Sequence, residues 1–170
     1  PTVDVKIYPE GSTAELATIP NLAYGSFTGA YADLPAQNLV ITVGASPNNA
    51  LVVASAEARL ADLNAGGAAA VIFASGFLNP SLNSNGQSFA LLVALPDGTV
   101  LTLLEPYAKL QAIHNSPDPI AKNVDIVISA GPRPIAKLAN VGFRQATAYT
   151  DLPARVNLSF EFFVAGTTTS

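Results

Sequence analysis

The chain is 170 residues long, 49% hydrophobic and only 12% charged, with a formal net charge of −4. The hydrophobic share places it among globular chains with ample core material. Its charge share is about half the roughly 25% usual for soluble domains, so the surface falls largely to Ser, Thr, Asn, Gln and Ala. The acidic balance and the single, scattered Lys and Arg residues argue against nucleic acid, because no basic stripe is present to displace phosphate counterions, and the lack of Cys rules out disulfide staples, thiolate metal sites and thiol nucleophiles.

In chain order the apolar pattern is mostly of strand type. Residues 3–8 (Val-Asp-Val-Lys-Ile-Tyr) alternate as a half-buried strand does, and residues 39–43 (Leu-Val-Ile-Thr-Val) are β-branched and close at Gly44. Residues 54–63 are open to two readings: their composition suits a short helix before Gly66-Gly67, whereas alternation through Val53, Ser55, Glu57 and Arg59 suits a strand, which is favoured. Residues 70–74 (Ala-Val-Ile-Phe-Ala) form a strand closed by Gly76, and the polar stretch 78–88 reads as a connecting loop with some capacity for binding. Residues 89–95 run into Pro96-Asp97-Gly98 and return through 99–103, a hairpin in which Pro sets φ and Gly supplies φ > 0. Residues 124–128 (Val-Asp-Ile-Val-Ile) form a further strand, and Gly166 to the end reads as a loop that does not pack. Short strands with regular Gly and Pro punctuation point to an all-β, antiparallel sandwich. The longest apolar stretches, 67–74 and 89–95, fall well short of a membrane span. A chain that begins at Pro1 reads as processed, or as a window from something longer, and no signal peptide is visible.

The chain also resembles itself. Val3-Asp4-Val5-Lys6-Ile7 recurs as Val124-Asp125-Ile126-Val127-Ile128, Asn21-Leu22-Ala23-Tyr24 as Asn140-Val141-Gly142-Phe143, and Tyr31-Ala32-Asp33-Leu34-Pro35-Ala36 as Tyr149-Thr150-Asp151-Leu152-Pro153-Ala154. The matches keep their order at offsets of 121, 119 and 118 residues. A period that long is a whole domain, so the expected organisation is a tandem array. The expected division is a first β-sandwich repeat over 1–106 and the N-terminal part of a second over 107–170.

Candidate chemistry is sparse. His114 is the single histidine, and with Ser116 and Asp118 nearby it invites a nucleophilic triad. Alternate residues on a strand share a direction without aiming at one another, and no Gly-x-Ser-x-Gly element is present. The favoured reading is a structural motif of His114, Asn115, Ser116, Pro117, Asp118 and Asp125, with a turn over 116–119 in which His114 and Asp118 satisfy backbone groups. Asp4 with Asp125, and Asp33 with Asp151, raise calcium, yet no run of closely spaced oxygen ligands accompanies them. Tyr24, Tyr31, Phe143 and Tyr149 suit either the core, which strand spacing favours, or an aromatic platform for sugars. Asn157-Leu158-Ser159 matches a glycosylation sequon. No catalytic residue, cofactor or metal is expected.

Residues 110–119 (Leu-Gln-Ala-Ile-His-Asn-Ser-Pro-Asp-Pro), followed by Val124-Asp125-Ile126, resemble the opening signature of the domain-of-unknown-function family numbered 4397. The stretches 24–36 and 143–154, each running from Phe or Tyr to Leu-Pro-Ala, the strand ending Ala74-Ser75-Gly76, and 89–98 are similar to other hallmarks of that family. The resemblance implies an all-β, immunoglobulin-like module of secreted and cell-surface proteins of bacteria and archaea, often in tandem, with no established enzymatic activity.

Against that pattern, the first copy lacks the strand and His-Asn-Ser-Pro-Asp element that should precede residue 3, and the second lacks partners for 56–63, 69–76 and 89–103. An unfinished sandwich leaves strand edges and an apolar face uncovered. Either the chain is a piece of a longer tandem polypeptide, or strands are shared between subunits by donor-strand exchange. The expected function is a non-enzymatic extracellular structural module, a subunit of a surface filament, appendage or matrix built head to tail from copies of itself. Leu110, Ala112, Ile113, Val124, Ile126 and Ile128 are the candidates for the inter-subunit strand. The alternative is an adhesion module binding a surface glycan; an enzyme comes third.

Overall fold

The computed structural model describes residues 2–62 and 66–167 and is antiparallel and all-β. The strands are β1 (Thr2–Pro9), β2 (Ala17–Ala23), β3 (Asn38–Ala45), β4 (Val52–Arg59), β5 (Val71–Ser75), β6 (Ala90–Ala94), β7 (Val100–Thr102), β8 (Tyr107–Leu110), β9 (Ile113–His114), β10 (Asn123–Ala130), β11 (Arg133–Gly142), β12 (Gln145–Ala146), β13 (Thr150–Pro153) and β14 (Leu158–Val164). Of the segment open to helix or strand, residues 54–59 belong to strand β4 and 60–62 form a turn, while residue 63 lies outside the described residues. Packing decides this: Ala54, Ala56 and Ala58 are buried side by side with Ile41 and Leu39 of β3, which a strand's alternation permits. The hairpin from β6 to β7 closes as expected, with Gly98 at φ +86° and the Asp97 carboxylate accepting from the Thr99 amide at 2.9 Å. In the loop at 78–88, a short 3-10 turn forms at Pro80–Leu82.

Two separate cores result. In the N-terminal part, a four-stranded sheet in the order β2-β1-β3-β4 packs against the three-stranded sheet β5-β6-β7. Ile7, Leu39, Ile41, Val43 and Leu91 fill the space between them. In the C-terminal part, the sheet β11-β10-β14 is overlaid by the two short ladders β9–β12 and β8–β13, around Val124, Ile126, Ile128, Val141 and Leu152.

The two parts meet across β4. The Asn157 amide donates to the Val52 carbonyl at 2.9 Å, and the Val52 amide returns a bond to the Asn157 side chain at 2.8 Å. Ser55 Oγ donates to the Ala154 carbonyl at 2.6 Å, and the guanidinium of Arg133 forks onto both Glu105 oxygens at 3.1 Å. Gly131, at φ +58°, turns the β10–β11 hairpin so close to β4 that an added Cβ would lie 2.7 Å from Val53 Cγ1. Hence Val53 and Ser55, assigned by alternation to the face opposite the Ala residues, are buried by the C-terminal part.

Candidate functional site

One arrangement occurs in both parts. Asp4 and Asp125 sit on the central strands β1 and β10, where the ladder to the neighbouring strand shifts register between Val3 and Val5, and between Val124 and Ile126. Opposite each shift stands an asparagine with positive φ, Asn21 at +54° and Asn140 at +55°. Asparagine tolerates that conformation better than most residues because its short amide bonds locally. Its backbone N–H, freed from the ladder by the bulge, donates to the aspartate: Asn21 to Asp4 Oδ1 at 2.9 Å and Asn140 to Asp125 Oδ1 at 2.8 Å.

Each carboxylate then reaches the loop beyond the strand on its other side. The Asn49 amide donates to Asp4 Oδ2 at 3.0 Å and Ser46 Oγ to Asp4 Oδ1, while Asp125 Oδ2 accepts from the Gly166 amide at 3.4 Å and from Lys137 Nζ at 3.3 Å. The chain terminus expected to stay loose is therefore tied down at Gly166; residues 168–170 lie outside the described residues. The Asn21 amide above all, with Ser46 and Asn49, holds the Asp4 carboxyl below the usual aspartate value, and the Asn140 amide foremost does the same for Asp125. Both side chains are buried acceptors whose oxygens face donors, and no group of three or more His, Asp or Glu capable of holding a metal occurs among the described residues.

The His114 element is a second bracket. Its ring Nε2 lies 2.6 Å from the Ala121 carbonyl, which only accepts, so Nε2 carries the proton. Asp118 Oδ1 accepts from the Ile120 amide at 2.9 Å, and its carbonyl accepts from the Ala121 amide at 3.1 Å. His114 and Asp118 thus close the loop leading into β10 by satisfying backbone groups, as the turn reading holds; the turn itself lies at 118–121, just beyond the expected 116–119, and Phe143 stands edge-on to the imidazole at 6.4 Å. Pro117 and Asn115 belong to the extended approach to that turn, and Ser116 faces the groove described below.

Of the six candidates for an inter-subunit strand, Val124, Ile126 and Ile128 belong to β10, which is flanked by β11 on one side and β14 on the other. Both edges are occupied within the chain and Ile128 is 0% exposed, so these three are core residues and not donors. Leu110, Ala112 and Ile113 lie along β8–β9, which pairs with β13 and β12 on one side alone.

Further open edges occur among the described residues. Strand β14 pairs with β10 and, among the described residues, carries no strand on its outer edge, the edge that β4 occupies on β3; Phe162 and Val164 are exposed along it. Between β8–β9 and β14 runs an apolar groove of about 570 Å³, with Leu110, Ile113, Leu138, Phe160 and Phe162 in its walls. In the N-terminal part, the corresponding face of the sheet is covered by Leu91, Phe89 and Leu103. All five residues of edge strand β5 are exposed.

The aromatic residues assigned to the core by strand spacing are outside it. Tyr24 is 101% exposed and Tyr31 77%, and Tyr149 and Phe143 are exposed as well, as is Phe27 between the first two. Sequence reasoning missed the bulge-and-asparagine clamp, although Asn21 and Asn140 stand in one of the matched segments and are its signal. Among the described residues no helix is long and apolar enough to cross a membrane. No family model, no curated protein and no solved structure matches the chain.

Proposed function

We propose that the chain is a non-enzymatic structural module of an extracellular assembly (a surface filament, appendage or matrix) in which neighbouring polypeptide completes its sheets by strand pairing. The observation that carries this reading is the unpaired outer edge of β14 beside the open apolar groove of the C-terminal part. Backbone donors and acceptors along such an edge are a template for another chain, and an exposed apolar wall next to it adds burial to the pairing. In this reading the chain is one and a half tandem repeats divided near residue 106, and the resemblance to surface-protein modules supports the extracellular setting. Contact between unlike edges of identical copies is heterologous and grows head to tail into an open polymer. Electron microscopy of the purified chain in negative stain tests it: fibres with an axial repeat of a few nanometres are expected, and monodisperse folded particles at high concentration overturn it.

A second reading, an adhesion module for a surface glycan, draws on the exposure of Tyr24, Phe27 and Tyr31 along one segment, since sugars stack on open aromatic faces. Titration with soluble oligosaccharides, followed by tyrosine fluorescence, separates the two.

A further inference from the structure

The ladder of β8 on β13 has an inner and an outer face, set by alternation. Leu152 is buried and Leu110 packs against the C-terminal core, so both point inward. Lys109 and Asp151, opposite one another in the ladder, point outward and pair at 3.0 Å. The Tyr107 ring lies on the same side, with Lys109 Nζ 6.0 Å from its centroid. Tyr149, two residues before Asp151, falls on that side too, one position past the Thr150–Leu110 pair. Two tyrosines therefore flank an ion pair on the outer face, separated along the strand by about 13 Å at the usual rise per residue.

Both rings are open to solvent, Tyr107 at 65% and Tyr149 at 66%, although the ladder that carries them is formed within the chain. Their exposure is a property of the outward face. Tyr149 and Asp151 also match Tyr31 and Asp33 of the N-terminal part, which are exposed as well. In each of these matched segments the leucine, Leu34 or Leu152, has a core to fill. Packing asks nothing of the tyrosine and the aspartate, so their recurrence has another cause.

The chemistry of this face suits a sugar better than a protein. Its centre is the Lys109–Asp151 pair, and interface centres are depleted in charge because burying it costs desolvation. One lysine offset by one aspartate also gives no net charge to draw an ionic polymer. Sugar rings, by contrast, present C–H groups that lie on the negative face of a tyrosine ring. Their hydroxyls donate to a carboxylate and accept from an ammonium in place of water.

We infer that the outer face of β8 and β13 binds a neutral polysaccharide chain. Its sugar rings stack on Tyr107 and Tyr149, and the hydroxyls between them bond to Asp151 and Lys109. This rests on the adhesion reading given above, assigns it a site, and is independent of strand pairing.

The test titrates the whole chain by calorimetry with cellohexaose, chitohexaose and maltohexaose. At least one is expected to bind, with Tyr107→Ala and Tyr149→Ala each weakening it roughly tenfold at unchanged melting temperature. Tyr107→Phe and Tyr149→Phe keep the stacking face and should bind within about twofold of the parent. Asp151→Ala takes away the acceptor between the rings without touching the core, and should weaken binding roughly fivefold. Failure of all three sugars at millimolar concentration overturns the inference together with the adhesion reading. Binding that persists in a folded chain carrying both Tyr107→Ala and Tyr149→Ala overturns this site alone; its loss instead on Tyr24→Ala or Tyr31→Ala would leave the adhesion reading standing at the N-terminal aromatic segment. Equal losses in the Phe and Ala variants also overturn the site, because stacking would then not be what holds the sugar.

Discussion

The N- and C-terminal parts build the same central feature and finish it differently. In each, a buried aspartate on the middle strand gathers the amide of a left-handed asparagine and the loop beyond the opposite strand. Around that shared clamp, the N-terminal part has a covering sheet, β5-β6-β7, but leaves 24–36 without a ladder. The C-terminal part has the ladder, β8–β9 on β12–β13, but leaves its groove and the edge of β14 open. The lesson is that the clamp is local, needing only three neighbouring strands, whereas closure of the second layer needs chain that is distant in sequence.

The largest expected effect tests whether the two cores are separate. Ile41→Ala and Ile128→Ala each remove a fully buried side chain and should cost about 2–5 kcal/mol. If the cores unfold independently, urea titration with amide exchange will show each loss confined to its own part. A single shared transition would mean that the β4 junction couples them.

Next comes the clamp. Asp4→Ala and Asp125→Ala leave amides at Asn21 and Asn140 without their acceptor, and each should lower the melting temperature and speed exchange at that amide. The fall should be greater for Asp4, whose further donors Ser46 and Asn49 lie nearer than Asp125's Gly166, at 3.4 Å, and its part-exposed Lys137, at 3.3 Å. The same carboxylates set an acid limit. Because each is held below the ordinary value of 3.8, the folded chain binds fewer protons than the unfolded one around that pH. Their contribution is complete above it and is lost as pH falls through and below it. Melting temperatures measured from pH 6 down to about pH 2 should show this slope, reduced in either Ala variant.

A smaller effect sharpens the junction. Gly131→Ala meets Val53 at 2.7 Å with a positive φ, and should cost about 1–3 kcal/mol, with faster exchange along β4. Smallest is Arg133→Ala. It removes a fork onto Glu105 from a part-exposed site, and about 0.2–1 kcal/mol is expected, shrinking in high salt.

Much of the fold is legible in particular residues. The alternation at 3–8, the β-branched run at 39–43 and Pro96-Asp97-Gly98 each dictate backbone locally, and the structure has β1, β3 and the β6–β7 hairpin there. The Asp-to-Asp and Asn-to-Asn matches marked the clamp positions without revealing the contact, because a bulge depends on how two strands slip against one another. Tyr24 and Tyr31 were misread as core for a related reason: spacing reports which residues share a face, not whether another strand lies over it. Val124, Ile126 and Ile128 were misread as donors because an apolar strand looks the same in sequence whether its edges are free or occupied.

By itself, then, the sequence determined that the chain is all-β, where several of its strands and turns fall, and that one local pattern occurs twice, since these follow from side-chain period and backbone preference over a few residues. Only the tertiary structure decided which strand edges are paired, which aromatic side chains are covered, and that β4 is buried on both faces, because hydrogen-bond partners and burial are set by residues tens of positions away.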